Sequence, residues 1–327
     1  MRVLVVGAGA IGSLFGARLS AAGHAVTLVG RPEHVRAIRD EGLRVEGEGA
    51  GLHRLSADVE LPDGPAPDVI LLTVKSFDLP LAARAIGQRF PTAVPIVLPQ
   101  NGWGIEGTVR RALATKGTPD ATAPLLRLVH SIPATLLRPG VVRAAGTGTI
   151  VVPLVEGPDR PAFEPLILLL TSMGYPVERR SDFDRALWEK LLINAAVNPV
   201  TADHGILNGR LLDDPWRGQA LALLSEARRA AELAGVPVPA EEAERRLWTV
   251  VRSTAANRSS MLQDLERGRP TEIEAISGAV VEIARSHGER LPHTERVLAR
   301  IRDRVARRRP PGGASSDGPA AERPKDL

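Results

Sequence analysis

The chain has 327 residues, no cysteine, 43% hydrophobic and 24% charged side chains, and a formal net charge of +4. That length suggests two domains, the hydrophobic share is enough for ordinary cores, and the lack of thiols excludes disulfides, thiolate metal sites and cysteine nucleophiles. Seven cationic and four acidic side chains from Arg302 onward carry most of the net charge, so the rest is near neutral and offers no extended nucleic-acid surface.

Arg2–Val6 is a short aliphatic run that ends in glycines, as a buried parallel strand does. The first twenty residues imitate a signal peptide, but their glycine spacing has a better use. Gly7-Ala8-Gly9-Ala10-Ile11-Gly12 is G-x-G-x-x-G, directly after that strand and directly before a helix over Ile11–Ala22. In this context Gly7 permits the tight turn, Gly9 lets backbone approach a pyrophosphate, and Gly12 allows close helix–strand packing. The helix N-terminus then offers free N–H groups to phosphate. A second strand over Ala25–Val29 ends in Gly30-Arg31, where NAD-preferring enzymes carry an acid. Arg31 suits a 2′-phosphate, so NADPH is the expected cofactor.

A polar helix over Pro32–Asp40, a hairpin over Leu43–Leu55, a strand over Val69–Val74, a helix over Leu79–Phe90 and a strand over Ile96–Leu98 follow. Alternation of this kind predicts an α/β fold, a Rossmann-type doubly wound parallel sheet. Short strands fill Leu125–Val155, and a helix over Phe163–Met173 and a strand over Pro176–Glu178 complete a first domain at 1–180. An all-helical C-terminal domain over 181–308 is expected, with helices over Phe183–Val197, Trp216–Ala234, Ala240–Leu265, Glu272–His287 and Thr294–Arg308. Residues 309–327 are Pro, Gly, Ser and charge, and are read as a disordered tail. No apolar run reaches about 18 residues, so no membrane span is expected and the protein is placed in the cytoplasm.

Lysine is scarce, with Lys75, Lys116, Lys190 and Lys325 among 42 cationic residues. Lys75 ends an apolar strand at the edge where ligands bind in such sheets. Lys190, Asn194 and Asn198 recur at i, i+4, i+8 and share one helix face inside the apolar stretch ALWEKLLINAAVNPVTA. The Asn198-Pro199 step predicts that this helix ends there. Buried amides and an ammonium need partners, and a ligand is one.

The segments GAGAIGS, TVKSFD with Lys75, QNGWG with Asn101, LWEKLLINAAVNPVTA, and NRSSMLQDLERGRPTEIEAISG with Ser260 and Glu272 together resemble the ketopantoate reductase family, from residue 1 to about 290. The resemblance implies a Rossmann domain followed by a helical domain like that of 6-phosphogluconate dehydrogenase. It also implies NADPH-dependent reduction of 2-dehydropantoate to (R)-pantoate in pantothenate and coenzyme A biosynthesis. Lys190 would donate the proton to the ketone oxygen and Glu272 would complete the polar end of the site. Asn194, Asn198 and Ser260 would hold the substrate, Asn101 would lie beside nicotinamide and substrate, and Lys75 near the adenosine phosphate or ribose. Gln100 in place of a histidine, Trp103 in place of a smaller residue, and the Lys116–Pro133 segment depart from the family pattern. They leave open a reductase of another branched or aromatic 2-oxo acid; a non-catalytic NADP(H) sensor is a separate alternative, against which the retention of Lys190 with Glu272 argues. The expected partner is a small 2-oxo acid, with no nucleic acid, membrane or metal. A homodimer is one of the open oligomeric states.

Overall fold

In the computed structural model, which describes residues 1–90, 94–114 and 123–308, the opening aliphatic run forms β1 (Arg2–Val6) at the centre of a sheet. α1 (Ala10–Ala21), β2 (Ala25–Val29) and α2 (Pro32–Glu41) follow it. The expected hairpin is β3 (Leu43–Gly47) with β4 (Gly51–His53). The chain then returns to the main sheet as β5 (Ser56–Asp58), β6 (Val69–Leu72), α3 (Leu79–Arg89) and β7 (Ile96–Leu98). α4 (Ile105–Leu113), which the sequence reading did not mark, leads to β8 (Leu125–Arg127).

Among the described residues the main sheet has the order β5-β2-β1-β6-β7-β8, with every neighbouring pair parallel. Counted in chain order within this sheet, the strands run 3-2-1-4-5-6, the doubly wound arrangement, so the crevice opens at the C-terminal ends of β1 and β6. Alternation along β1 divides the core. Val3 and Val5 join one apolar cluster with Leu14 and Phe15, whereas Leu4 and Val6 join another with Ile70 and Leu72. Both faces are covered, which is why these strands read as unbroken apolar runs.

β9 (Val129–His130), β10 (Ala134–Arg138), β11 (Val141–Ala144) and β12 (Ile150–Pro153) come next. β10 and β11 extend the β3–β4 hairpin into a second sheet. α5 (Arg160–Ser172) precedes β13 (Val177–Arg180), which pairs with β12, and β12 pairs with β9.

From Phe183 onward the chain is helical, around a separate core that includes Trp188, Leu192, Leu224, Leu247 and Ile276. Its elements are α6 (Phe183–His204), α7 (Trp216–Leu233), α8 (Ala240–Ser253), α9 (Ser260–Glu266), a five-residue π-helical turn (Glu274–Gly278), α10 (Ala279–Ser286) and α11 (Pro292–Arg308). Two boundaries differ from expectation. α6 does not stop at Asn198; it runs through Pro199 to Gly205, which takes φ +67°. A proline inside a helix costs about 3 kcal/mol, but Val197, Val200 and Ala202 are all buried around it, and Thr201 Oγ1 donates to Val197 O at 2.8 Å. Tertiary packing outweighs the local preference.

The single helix expected over Ala240–Leu265 is two, because its middle serves a neighbour. Ala255 O and Asn257 O accept the N–H groups of Gly209 and Asn208 at 3.0 Å, and Ser259 Oγ caps α9 by accepting from Leu262 N at 3.2 Å. Glu272 opens the next helical run as expected, with its O accepting from Ile276 N at 3.1 Å, and the run passes through the π turn into α10. The tail expected to be disordered, 309–327, lies outside the described residues, as does Lys116.

Candidate active site

The glycine loop sits at the crevice, and each glycine shows its reason. Gly7 has φ +110°, and a Cβ there would lie 2.5 Å from Val74 N. A Cβ on Gly12 would lie 2.2 Å from Gly7 O and 2.5 Å from Thr73 Oγ1. Gly9 is different: its nearest neighbour would be Gly7 O at 4.0 Å, so protein packing does not require a glycine there. An open face beside the start of α1, where the first-turn N–H groups of Ala10, Ile11 and Gly12 emerge without a side-chain cap, fits a pyrophosphate. Thr73 Oγ1 donates to Gly7 O at 2.8 Å and ties the end of β6 to this loop. Arg31, at the N-cap of α2 just past β2, is exposed and forms no ion pair among the described residues.

Farther along the crevice, residues distant in sequence converge on Glu272, which is 6% exposed. Its carboxylate accepts from Ser76 N at 3.3 Å and from Asn101 Nδ2 at 3.2 Å, and lies 3.6 Å from Lys75 Nζ. Lys75 Nζ also donates to Asp264 Oδ2 at 2.9 Å. Lys190 Nζ, on α6, donates to His130 O at 2.6 Å. Asn194 and Asn198 continue along α6, half-buried and buried. Neither side chain makes a hydrogen bond among the described residues, and neither does Ser260, which is exposed at the start of α9. Lys75, Asn101, Glu272 and Lys190 are thus brought together. Asn194 and Asn198 adjoin them along the helix, and among the described residues no hydrogen bond links the Ser260 side chain to the cluster.

Sequence reasoning missed Asp264 and Arg127. Asp264 was legible only as an acid between Leu262 and Leu265, and Arg127 as a cation inside the apolar strand PLLRLV. Arg127 is 4% exposed; its Nη1 donates to Leu98 O at 2.9 Å and its Nη2 to Gly102 O at 3.0 Å.

These surroundings drive the two lysines apart. Desolvation, followed by the Arg127 charge, lowers the Lys190 pKa to about 7, although Glu272 opposes them. Desolvation also works against protonation of Lys75, but Glu272 and Asp264 outweigh it and its pKa is raised. Lys75 therefore stays a cation, whereas Lys190 can exchange a proton near neutral pH, the property of a general acid. Desolvation, with Lys190 and Arg127 adding to it, pushes His130 well below its ordinary value, so it is neutral. Gln100 Oε1, His130 Nδ1, Trp188 Nε1 and Thr271 Oγ1 are buried without a partner, all next to or within the site. Such atoms are costly to leave unpaired, and of the four Trp188 is wholly buried in the helical core. Trp103 lies with its ring centroid 5.0 Å from that of Trp188, tilted by 37°. No group of three or more His, Asp or Glu suited to a metal occurs among the described residues.

Residues 3–157 match the family model described as ketopantoate reductase PanE/ApbA, and residues 182–305 match its C-terminal counterpart. A 2-dehydropantoate 2-reductase of Halobacterium salinarum is 35% identical over 89% of this chain and 95% of its own length. One from Archaeoglobus fulgidus is 33% identical over 88% and 92%. Among solved structures, a PanE/ApbA family ketopantoate reductase from Ralstonia eutropha superposes with a TM-score of 0.83 at 28% identity, covering 94% of this chain and 99% of its own. A D-mandelate dehydrogenase with NADH and anilino(oxo)acetate reaches a TM-score of 0.85 over the same shares, but at 20% identity it shows the fold alone.

Proposed function

The chain belongs to the ketopantoate reductase family and reduces 2-dehydropantoate to pantoate with a nicotinamide dinucleotide; we propose that the dinucleotide is NADPH and that Lys190 is the proton donor. When bound, the dinucleotide supplies the hydride. Gly9 and the first turn of α1 would hold its pyrophosphate, Arg31 its 2′-phosphate, and Asn101 would border the nicotinamide. Asn194, Asn198 and Ser260 are assigned to the substrate's carboxylate and hydroxyl.

The observation that carries this assignment is the contrast between the two lysines. Reduction of a ketone builds negative charge on its oxygen, and a positioned ammonium both stabilises and quenches it. Lys190 Nζ is held by His130 O at 2.6 Å and has its pKa brought to about 7, so it releases a proton readily. Glu272 favours the protonated form of Lys190 and so promotes its reloading. Lys75, paired with Asp264 and Glu272, fixes that carboxylate and orients the site without giving up its own proton.

No helix of the described residues is long and apolar enough to cross a membrane, and a cytoplasmic place is part of the proposal. The test is NADPH and NADH oxidation against a panel of branched and aromatic 2-oxo acids. The highest kcat/KM should fall on ketopantoate with NADPH. Trp103 stacked near Trp188 makes an aromatic acid the main competitor; its winning, or NADH being preferred, overturns the corresponding part of the reading.

A further inference from the structure

We propose that Arg127 is a positioning residue for this reaction: its guanidinium fixes the turn that carries Asn101 and keeps a permanent positive charge beside Lys190. The proposal deepens the assignment of Lys190 as proton donor and rests on it.

Arg127 is the last residue of β8, at the C-terminal edge of the main sheet, in register with Leu98. Its planar fork spans the segment that follows β7. One arm holds Leu98 O, the other holds Gly102 O, and Nε lies 3.8 Å from Glu106 Oε2 in the first turn of α4. Start, turn and exit of residues 98–106 are thus joined to one rigid group. Gln100, Asn101 and Trp103 all lie on that segment. Its other side has no slack: Gly102 takes φ +99°, a Cβ there would fall 2.4 Å from Ala275 O, and Trp103 N donates to the same carbonyl at 3.3 Å. Asn101 Nδ2 reaches Glu272 at 3.2 Å. A shift of Gly102 O would therefore be transmitted to Asn101 and on to the carboxylate facing Lys190.

A lysine could not do the same, since a single ammonium lacks the fork that bonds two carbonyls in fixed geometry. Nor is the site an economical place for a cation. Burying one is costly unless it is closely paired, and the ion partner of Arg127, Glu106, stands 3.8 Å away and is 37% exposed. Desolvation lowers the Arg127 pKa only to about 10, so its charge persists at neutral pH. The titratable groups facing Lys190 are Arg127 from β8, neutral His130 from β9, and Glu272 from the segment before the π turn. Lys75 and Asp264 complete the cluster around Glu272. Arg127 is the member of this set whose removal leaves Lys190 without a cationic neighbour acting on it.

Arg127→Met and Arg127→Lys would be compared with wild type by steady-state kinetics on ketopantoate from acid to alkaline pH, with folding checked by circular dichroism. In wild type, turnover should fall on the alkaline side as Lys190 loses its proton. For Arg127→Met, kcat should fall by about tenfold or more, as expected when a reacting group is misplaced by a fraction of an ångström. Its alkaline limb should move up by about one pH unit, the low end of a nearby charge's effect. Arg127→Lys should return the limb to the wild-type position and recover part of kcat. A Met variant with wild-type limb and kcat overturns the proposal, as does a Met variant whose loss comes with an unmoved limb. If the Met variant does not fold, Arg127→Lys decides alone: a reduced kcat with an unmoved limb supports the proposal, and wild-type kcat overturns it. Wild type inactive on ketopantoate would instead show that the functional reading itself had failed, a result read before any variant is considered.

Discussion

Replacing Arg31 with alanine separates the choice of cofactor from everything else in the site. The guanidinium stands exposed at the N-cap of α2; its charge acts on the Asp78 carboxyl, but no salt bridge holds it among the described residues, so its loss breaks none. A hydrogen bond to a charged group contributes roughly 1.5–3 kcal/mol. Solvent screening at an exposed position favours the lower half of that range, which corresponds to a rise of about 13- to 45-fold in the NADPH dissociation constant. NADH lacks the 2′-phosphate and should change by less than about threefold on the same reasoning. Titration of the quenching of intrinsic tryptophan fluorescence gives both constants, and repeating it at raised salt should shrink the wild-type advantage for NADPH. Equal losses for the two cofactors, or an unchanged NADPH constant, would refute the assignment of Arg31.

Gly12→Ala would place a Cβ 2.2 Å from Gly7 O, a backbone atom that cannot swing aside. We expect about 1–3 kcal/mol of lost stability and a further loss of cofactor binding, read from a denaturant midpoint and the same titration; a variant as stable as wild type contradicts the packing account. Stability should also fall on mild acidification. His34 Nδ1 accepts from Gly140 N at 2.9 Å and so cannot carry a proton there, and burial lowers the pKa of both His34 and His130. Below about 6.5 the unfolded chain binds protons that the folded one refuses, so the urea midpoint should be lower at about pH 5.5 than at about pH 7.5. An equal or higher midpoint at the acid value contradicts it. Burial of the Lys190 amine carries a stability cost as well, since a pKa moved from 10.5 to about 7 opposes folding in the protonated state. Lys190→Met should therefore raise stability by about 2 kcal/mol; a lower midpoint would show that the ammonium is well satisfied where it lies.

The main sheet was legible because its strands are buried on both faces and punctuated by glycine, which local pattern records directly. Lys190 and its two asparagines were legible for a similar reason: polar residues at helical spacing inside an apolar run have few explanations. What pattern could not record is what tertiary contacts decide. α6 continues through Pro199 because its neighbours bury it, and the break between α8 and α9 exists because Gly209 and Asn208 need its carbonyls. Asp264 and Arg127 reach the site from segments 137 residues apart in number and only the fold brings them to Glu272 and Lys190. The pairing of Lys75 with Asp264 and Glu272 was likewise invisible in the sequence, because its partners lie 189 and 197 residues further along the chain.

The proton-donor assignment stands or falls on turnover of Lys190→Met with saturating ketopantoate and NADPH. Loss of a general acid costs about 10²–10⁴-fold, so kcat should drop by at least the lower figure while the NADPH dissociation constant stays within about threefold, because Lys190 is not among the groups assigned to the nucleotide. A variant that keeps a tenth or more of wild-type turnover would show that the proton comes from elsewhere, and the account of this site would be wrong.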